Sequence, residues 1–129
     1  MVRFLSAEWL DQLAETAAAS DHLRRASTGT SVVVRQVVTG GPDGDIDYVV
    51  RLDHGTVSVS PGAEGPADVE ITEDYATATA ISQGLLTPAA AFAAGRLKIG
   101  GRVGLLVEHA PAFAALGGVF AASRAATTY

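Results

Sequence analysis

Three histidines, His22, His54 and His109, and one adjacent acid pair, Glu73 and Asp74, are the first places to look for acid–base or metal chemistry in this chain. None of the histidines has another His, Asp or Glu at a spacing that identifies a metal site, and Glu108, next to His109, points off another part of a helix. Surface or capping roles are expected for all three. Thr72 can cap a helix whose first turn carries Glu73 and Asp74, where carboxylates suit the positive end of the helix dipole. The pair therefore reads as a cap, not as a catalytic dyad. The glycine-rich stretch Gly95 to Arg102 mimics half a phosphate loop, but Arg102 stands where Lys followed by Ser or Thr is needed, which excludes nucleotide binding. The chain contains no Gly-x-Ser-x-Gly elbow and no cysteine, so it offers neither that kind of hydrolase nucleophile nor a thiolate. These residues imply no enzyme, no cofactor and no metal.

The elements around them are apolar and closely punctuated. Ile81 to Gly101, ISQGLLTPAAAFAAGRLKIGG, packs a helix stop at Gly84, an N-cap and first-turn pair at Thr87 and Pro88, a second stop at Gly95 and a short strand into one run. In that strand Leu97 and Ile99 alternate with Arg96 and Lys98, which gives one dry and one wet face. Upstream, Ser6 is an N-cap, Leu5 and Leu10 occupy the staple positions, and the spacing predicts a helix over Ala7 to Ala19. Thr30 to Thr39 and Ile46 to Asp53 read as a hairpin joined by Gly40 to Gly44, with Ile46, Tyr48, Val50 and Leu52 on its inward face. A third strand carries Val57 and Val59 and is ended by the Pro61 to Pro66 segment. In a fourth, Val69 and Ile71 alternate with Asp68 and Glu70 before the helix that starts at Thr72.

Three segments, ADVEIT at Ala67 to Thr72, ISQGLLTP at Ile81 to Pro88 and AFAAGRLKIGG at Ala91 to Gly101, resemble in order and spacing the core pattern of the sterol carrier protein type 2 lipid-binding family. The resemblance is most specific over roughly Gly55 to Leu116. It implies an α+β fold, a five-stranded, mostly antiparallel sheet with helices covering one face. Between the two layers it implies an apolar tunnel that takes sterols, fatty acids or fatty acyl thioesters. In that architecture the ligand contacts are expected from the inward strand residues Tyr48, Val50, Leu52, Val57, Val69, Ile71 and Ile99, and from Ile81, Leu85, Phe92, Leu106, Phe113 and Phe120 above them. Arg51, Asp68 and Glu70 face water.

Composition agrees with a binding module. The 129 residues are 48% hydrophobic, and one domain spanning 1–129 is expected, with no apolar run long enough to cross a bilayer. Neither the amino terminus nor the closing Thr127-Thr128-Tyr129 carries an address signal, so a cytoplasmic location is expected. The net charge is −5, with nine acidic residues and one basic between Asp43 and Asp74. Such a chain is a poor partner for nucleic acid, whose phosphates need several Lys or Arg contacts. The expected partner is an apolar small-molecule lipid; the alternative is a ligand-free interaction module, with its apolar face buried in a homodimer or against another protein. Val103, Leu106 and Val107 begin another helix that Pro111 must kink or restart. Phe113, Leu116 and Phe120 continue at helical spacing, weakened by Gly117 and Gly118, and the second half of this segment is expected to act as a lid that orders on ligand.

Overall fold

In the computed structural model, which describes residues 1–62 and 65–129, a valine-rich central strand organises the molecule. The elements are β1 (Val2–Arg3), α1 (Ala7–Ala19), α2 (Asp21–Ala26), β2 (Ser31–Gly41), β3 (Gly44–Asp53), β4 (Thr56–Pro61), β5 (Val69–Asp74), α3 (Tyr75–Ser82), α4 (Pro88–Ala93), β6 (Leu97–Gly101), α5 (Gly104–Glu108), α6 (Ala110–Ser123) and β7 (Thr127–Thr128). A 3-10 turn, Arg124–Ala126, joins α6 to β7. Strands β2 to β6 form one sheet in the order β4-β3-β2-β5-β6, in which the β2–β5 pair alone is parallel. The long α1–α2 excursion precedes the sheet, and β1 pairs in parallel with β7 to tie the two ends of the chain together.

Strand register fixes what the helices cover. Tyr48, Gln36, Ile71 and Ile99 make one row across the inward face; Val59, Val50, Val34 and Val69 make the next, and Val57, Leu52 and Val32 a third. On the other side of the first row lie Ile46, Val38, Glu73 and Leu97. The outward face is polar: Arg35 Nη2 bonds Asp47 Oδ2 at 2.8 Å, with Glu70 3.7 Å from the same guanidinium. Two clusters of buried side chains fill the sheet's inward side unequally. Leu10 and Leu13 of α1, Leu23 of α2, and Ala115, Leu116 and Val119 of α6 close over Val50 and Leu52, while Val32, Val34 and Val69 pack under Leu105.

Local chemistry explains the helix bounds. Ser6 Oγ accepts the Trp9 N–H at 3.2 Å at the start of α1, and Leu5 and Leu10 are both buried at that end. The helix α3 starts later than the Thr72 cap reading has it. Strand β5 runs on to Asp74 because Glu73 still pairs with Val38 and Leu97, and Asp74 is the N-cap, its Oδ1 accepting the Thr77 N–H at 2.7 Å. Gly84 (φ +79°) and Gly95 (φ +74°) end α3 and α4. At each, paired bonds of the Schellman type close the turn, Leu85 N–H to Ala80 and Gly84 N–H to Ile81, then Arg96 N–H to Ala91 and Gly95 N–H to Phe92.

The short helix α2 has no counterpart in the sequence reading. It is capped by Ser20, whose side chain accepts the Leu23 N–H, and is held by the fully buried Leu23. Pro111 restarts the chain as a helix: α5 stops at His109, and α6 begins at Ala110 with the proline in its first turn. Of the Pro61 to Pro66 segment, residues 63 and 64 lie outside the described residues; β4 itself ends at Pro61.

Candidate functional site

Where the helix layer lifts away from the sheet, a cavity of about 620 Å³ remains. Its floor is the Tyr48–Gln36–Ile71–Ile99 row together with Val38, Glu73 and Leu97. Its roof comes from α3 and the turn after it (Ala78, Ile81, Leu86), from α4 (Pro88, Phe92) and from Leu106, Phe113, Leu116 and Phe120 of α5 and α6. One end is an aromatic wall. Trp9 meets Tyr48 edge-on at 5.8 Å and Phe4 at 5.1 Å, and lies nearly parallel to Phe120 at 6.5 Å. Arg124 stands at the opening between α3 and α6, its Nε donating to the Ser82 carbonyl.

Of the residues expected to touch ligand, the structure brings Tyr48, Ile71, Ile81, Phe92, Ile99, Leu106, Phe113 and Phe120 together around this cavity. Five others do not line it. Val50, Leu52 and Val69 are almost wholly buried, and Val57 packs beside them, because side chains of α1, α2, α5 and α6 fill the sheet on that side. Leu85 follows the left-handed Gly84, which turns it outward to 78% exposure. Nor is the second half of the Val103 to Phe120 segment, which lies in α6, a free flap, since its Ala112, Ala115 and Val119 are buried in the main core.

The reading of the acid pair needs correction as well. Asp74 caps α3, and hydrogen bonds from Thr77, side chain first and backbone second, hold its carboxyl below the usual carboxylate range. Glu73 instead turns into the cavity, where burial, helped by the neighbouring charge of Asp74, pushes its carboxyl up to about 7. Its Oε2 is buried without a hydrogen-bond partner, and so are Gln36 Oε1 and Trp9 Nε1. Alternation carries the missing signal. Val32, Val34, Gln36 and Val38 are in phase on β2, and Val69, Ile71 and Glu73 on β5, so a polar residue at a dry-phase position is the mark of a cavity floor.

The histidines stay outside the cavity. His22 and His54 are exposed, His54 Nδ1 lying 2.8 Å from Asp53 Oδ1, and His109 Nδ1 lies 3.2 Å from Thr30 Oγ1. Among the described residues no three His, Cys, Asp or Glu side chains gather to hold a metal ion. Among them, too, no helix is long and apolar enough to cross a membrane. A second, shallower depression between α1 and α6, lined by Glu15, His22 and Gly118 among others, opens broadly to solvent.

The fold is thus a mixed five-stranded sheet with helices over one face and an apolar cavity between the two layers. Residues 10–114 match the SCP-2 sterol transfer family, and the chain belongs to that family. Solved structures share the fold. A conserved hypothetical protein from Thermus thermophilus, provisionally assigned to the sterol carrier proteins, superposes with a TM-score of 0.78 at 22% identity, covering 95% of this chain and 90% of its own. A crystal structure of sterol carrier protein 2 gives 0.76 at 24% identity, covering 92% and 98%. Palmitated sterol carrier protein 2-like 2 from Aedes aegypti gives 0.65 at 21% identity, covering 89% and 94%. No curated protein matches the chain significantly.

Proposed function

We propose that this protein, acting as a single domain, binds one long apolar molecule of fatty acyl or sterol-like type in the cavity between sheet and helices, and carries it without chemical change. The observation that carries this reading is the cavity itself. Its volume of about 620 Å³ falls within the range of about 300 to 1,000 Å³ usual for small-molecule sites, and its walls are mostly aromatic and aliphatic, with Glu73 and Gln36 the polar part of the floor. Left dry, an apolar cavity of that size would cost on the order of 15 kcal/mol at about 24 cal/mol per Å³, as much as the whole stability of about 5 to 15 kcal/mol expected of a domain. Occupation or hydration removes that cost, and an apolar guest removes it best. Family membership and the palmitated relative support the same class of ligand.

A ligand-free dimerisation module accounts for less, since the apolar side of the sheet is already roofed by the chain's own helices. Among the described residues the titratable groups of the cavity are Glu73, Arg124 and Tyr48, whose phenol is held in its neutral form by burial and by the charge of Glu73. Native mass spectrometry of gently purified protein should show a co-purified lipid. Titration with fatty acids, acyl thioesters and sterols should change the fluorescence of Trp9, the single tryptophan and part of the cavity wall. Absence of any saturable change, with no thermal shift, would overturn the reading.

A further inference from the structure

We propose that Glu73 and Gln36 form a polar floor that selects an apolar ligand whose buried end donates a hydrogen bond, an alcohol or an amine, over one that ends in a carboxylate. This rests on the reading that the cavity holds an apolar ligand, and it specifies that ligand's polar end.

Glu73 faces inward from β5 with apolar partners on both sides, Val38 on β2 and Leu97 on β6. Its Oε2 meets no donor, and neither does Gln36 Oε1, its diagonal neighbour on the same face of the adjacent strand. Buried acceptors without donors are costly, so what enters best is a group that brings an N–H or O–H. A carboxylate brings more acceptors and a second negative charge to a place that already has one of each unanswered. Rotating the Gln36 amide exchanges donor for acceptor, whereas ionised Glu73 accepts only, so Glu73 sets the preference.

Of the groups around the cavity floor, Trp9 Nε1 is a buried donor without a partner and can answer one ligand acceptor but not a second negative charge; the others leave that preference in place. Tyr48 faces it from β3 and stays protonated; Asp74, next along the chain, adds negative charge; Val38 and Leu97 add none. Arg124 is the one cation among the described cavity residues, and it is engaged at the opening by the Ser82 carbonyl. No histidine lines the cavity among the described residues. With its carboxyl near 7, Glu73 changes charge between pH 6 and pH 8.5.

The test is a Trp9 fluorescence titration of the full chain with dodecylamine, dodecanol and dodecanoate, below their self-association concentrations, at both pH values. Ionisation of Glu73 increases about tenfold across that interval, so dodecylamine should bind about tenfold more tightly at pH 8.5 than at pH 6. Dodecanoate needs Glu73 protonated and should bind about 30-fold more weakly at the higher pH. Dodecanol should bind at both. These slopes belong to the unaltered protein and require no variant. In Glu73→Gln, which keeps the shape and removes the charge, both should flatten.

Dodecanoate binding at pH 8.5 as tightly as the other two would place the polar end away from Glu73, at Arg124 or Trp9 Nε1, and overturn the inference, while leaving the apolar-ligand reading intact. Slopes that persist in Glu73→Gln would do the same. Failure of all three probes to bind would overturn both readings.

Discussion

Glu73 and Asp74 are consecutive in the chain and face opposite environments. The Asp74 carboxylate accepts the Thr77 N–H at 2.7 Å at the head of α3, whereas Glu73 Oε2 lies buried in the cavity with no partner. Two acids of one dipeptide are thereby pushed in opposite directions, Asp74 down by hydrogen bonding and Glu73 up by desolvation.

The first prediction concerns stability and pH. Between about 4.5 and about 7 the folded state holds a proton on Glu73 that the unfolded state has released, so stability falls as pH rises through that window. Above it the ionised carboxylate costs about 3 kcal/mol, an order-of-magnitude figure. Glu73→Gln should therefore melt several degrees higher than the parent at pH 8 and at nearly the same temperature at pH 4. A melting difference independent of pH would contradict the assignment of Glu73 as a desolvated acid.

Asp74 provides the contrast. Replacing it with Ala removes the N-cap of α3 and should cost about 1 kcal/mol in denaturant unfolding at neutral pH, an effect that should fade as acid protonates the native carboxylate. Equal stability of Asp74→Ala and the parent at pH 7 would show that Thr77 finds its partner elsewhere.

How much of this was legible in the sequence depended on whether local chemistry or strand register decided the outcome. Ser6, Thr87, Gly84 and Gly95 act through their own caps and turns, and α1, α4 and both helix stops stand where those residues put them. Glu73 was misplaced because Thr-Glu-Asp is a good helix start in isolation. Only the ladder to Val38 and Leu97, set by residues more than twenty positions away, keeps it extended. Leu52 and Ile71 both belong to the dry phase of their strands, but which of them meets a cavity is decided by where α1 and α2 lie. No alternation pattern encodes that. The β1–β7 pair rests on two residues at each end of the chain, too short a run for periodicity to announce.

The division between core and cavity wall gives the next prediction. Leu52, 1% exposed under α1 and α2, should cost about 2 to 5 kcal/mol as Ala and leave ligand affinity unchanged in the folded fraction. Ile71→Ala should cost less stability, because that side chain already borders empty space, yet weaken an apolar ligand about fourfold or more for each methylene contact of about 0.8 kcal/mol that is lost. Calorimetric titration beside denaturant curves separates the two effects. Affinity that tracks Leu52 and ignores Ile71 would put the ligand elsewhere.

The two helix-ending glycines should also differ. A Cβ at Gly95 meets nothing within 4 Å, so Gly95→Ala carries only the left-handed backbone cost of about 1 kcal/mol. At Gly84 the same atom would lie 3.0 Å from the Arg124 guanidinium, which is hydrogen-bonded to Ser82. Gly84→Ala should therefore be the more damaging by denaturant midpoint, and in Gly84→Ala/Arg124→Ala the difference should largely disappear. Equal costs in the two single variants would mean that the Arg124 contact contributes nothing.

Entry to the cavity calls for a part that can move, and α4 is held far less firmly than α6. The α6 helix buries Ala112, Ala115, Leu116 and Val119 and is tied to α3 beyond its end by Arg124 and by Tyr129 at the Ser82 hydroxyl. In α4 only Ala91 is buried, while Phe92 is 55% exposed. In the free protein the amides of Ala91, Ala94, Gly95 and Arg96 should exchange through a small local opening, and those of the α6 interior through near-global unfolding. If α4 must open for ligand to leave, ligand at about a hundred times its Kd should raise the protection of those four amides by about 2.7 kcal/mol. Protection of α4 that does not change on saturation would remove it as the gate. Exchange in α6 as fast as in α4 without ligand would return that role to α6, as the apolar spacing of Phe113, Leu116 and Phe120 around a glycine pair first implied.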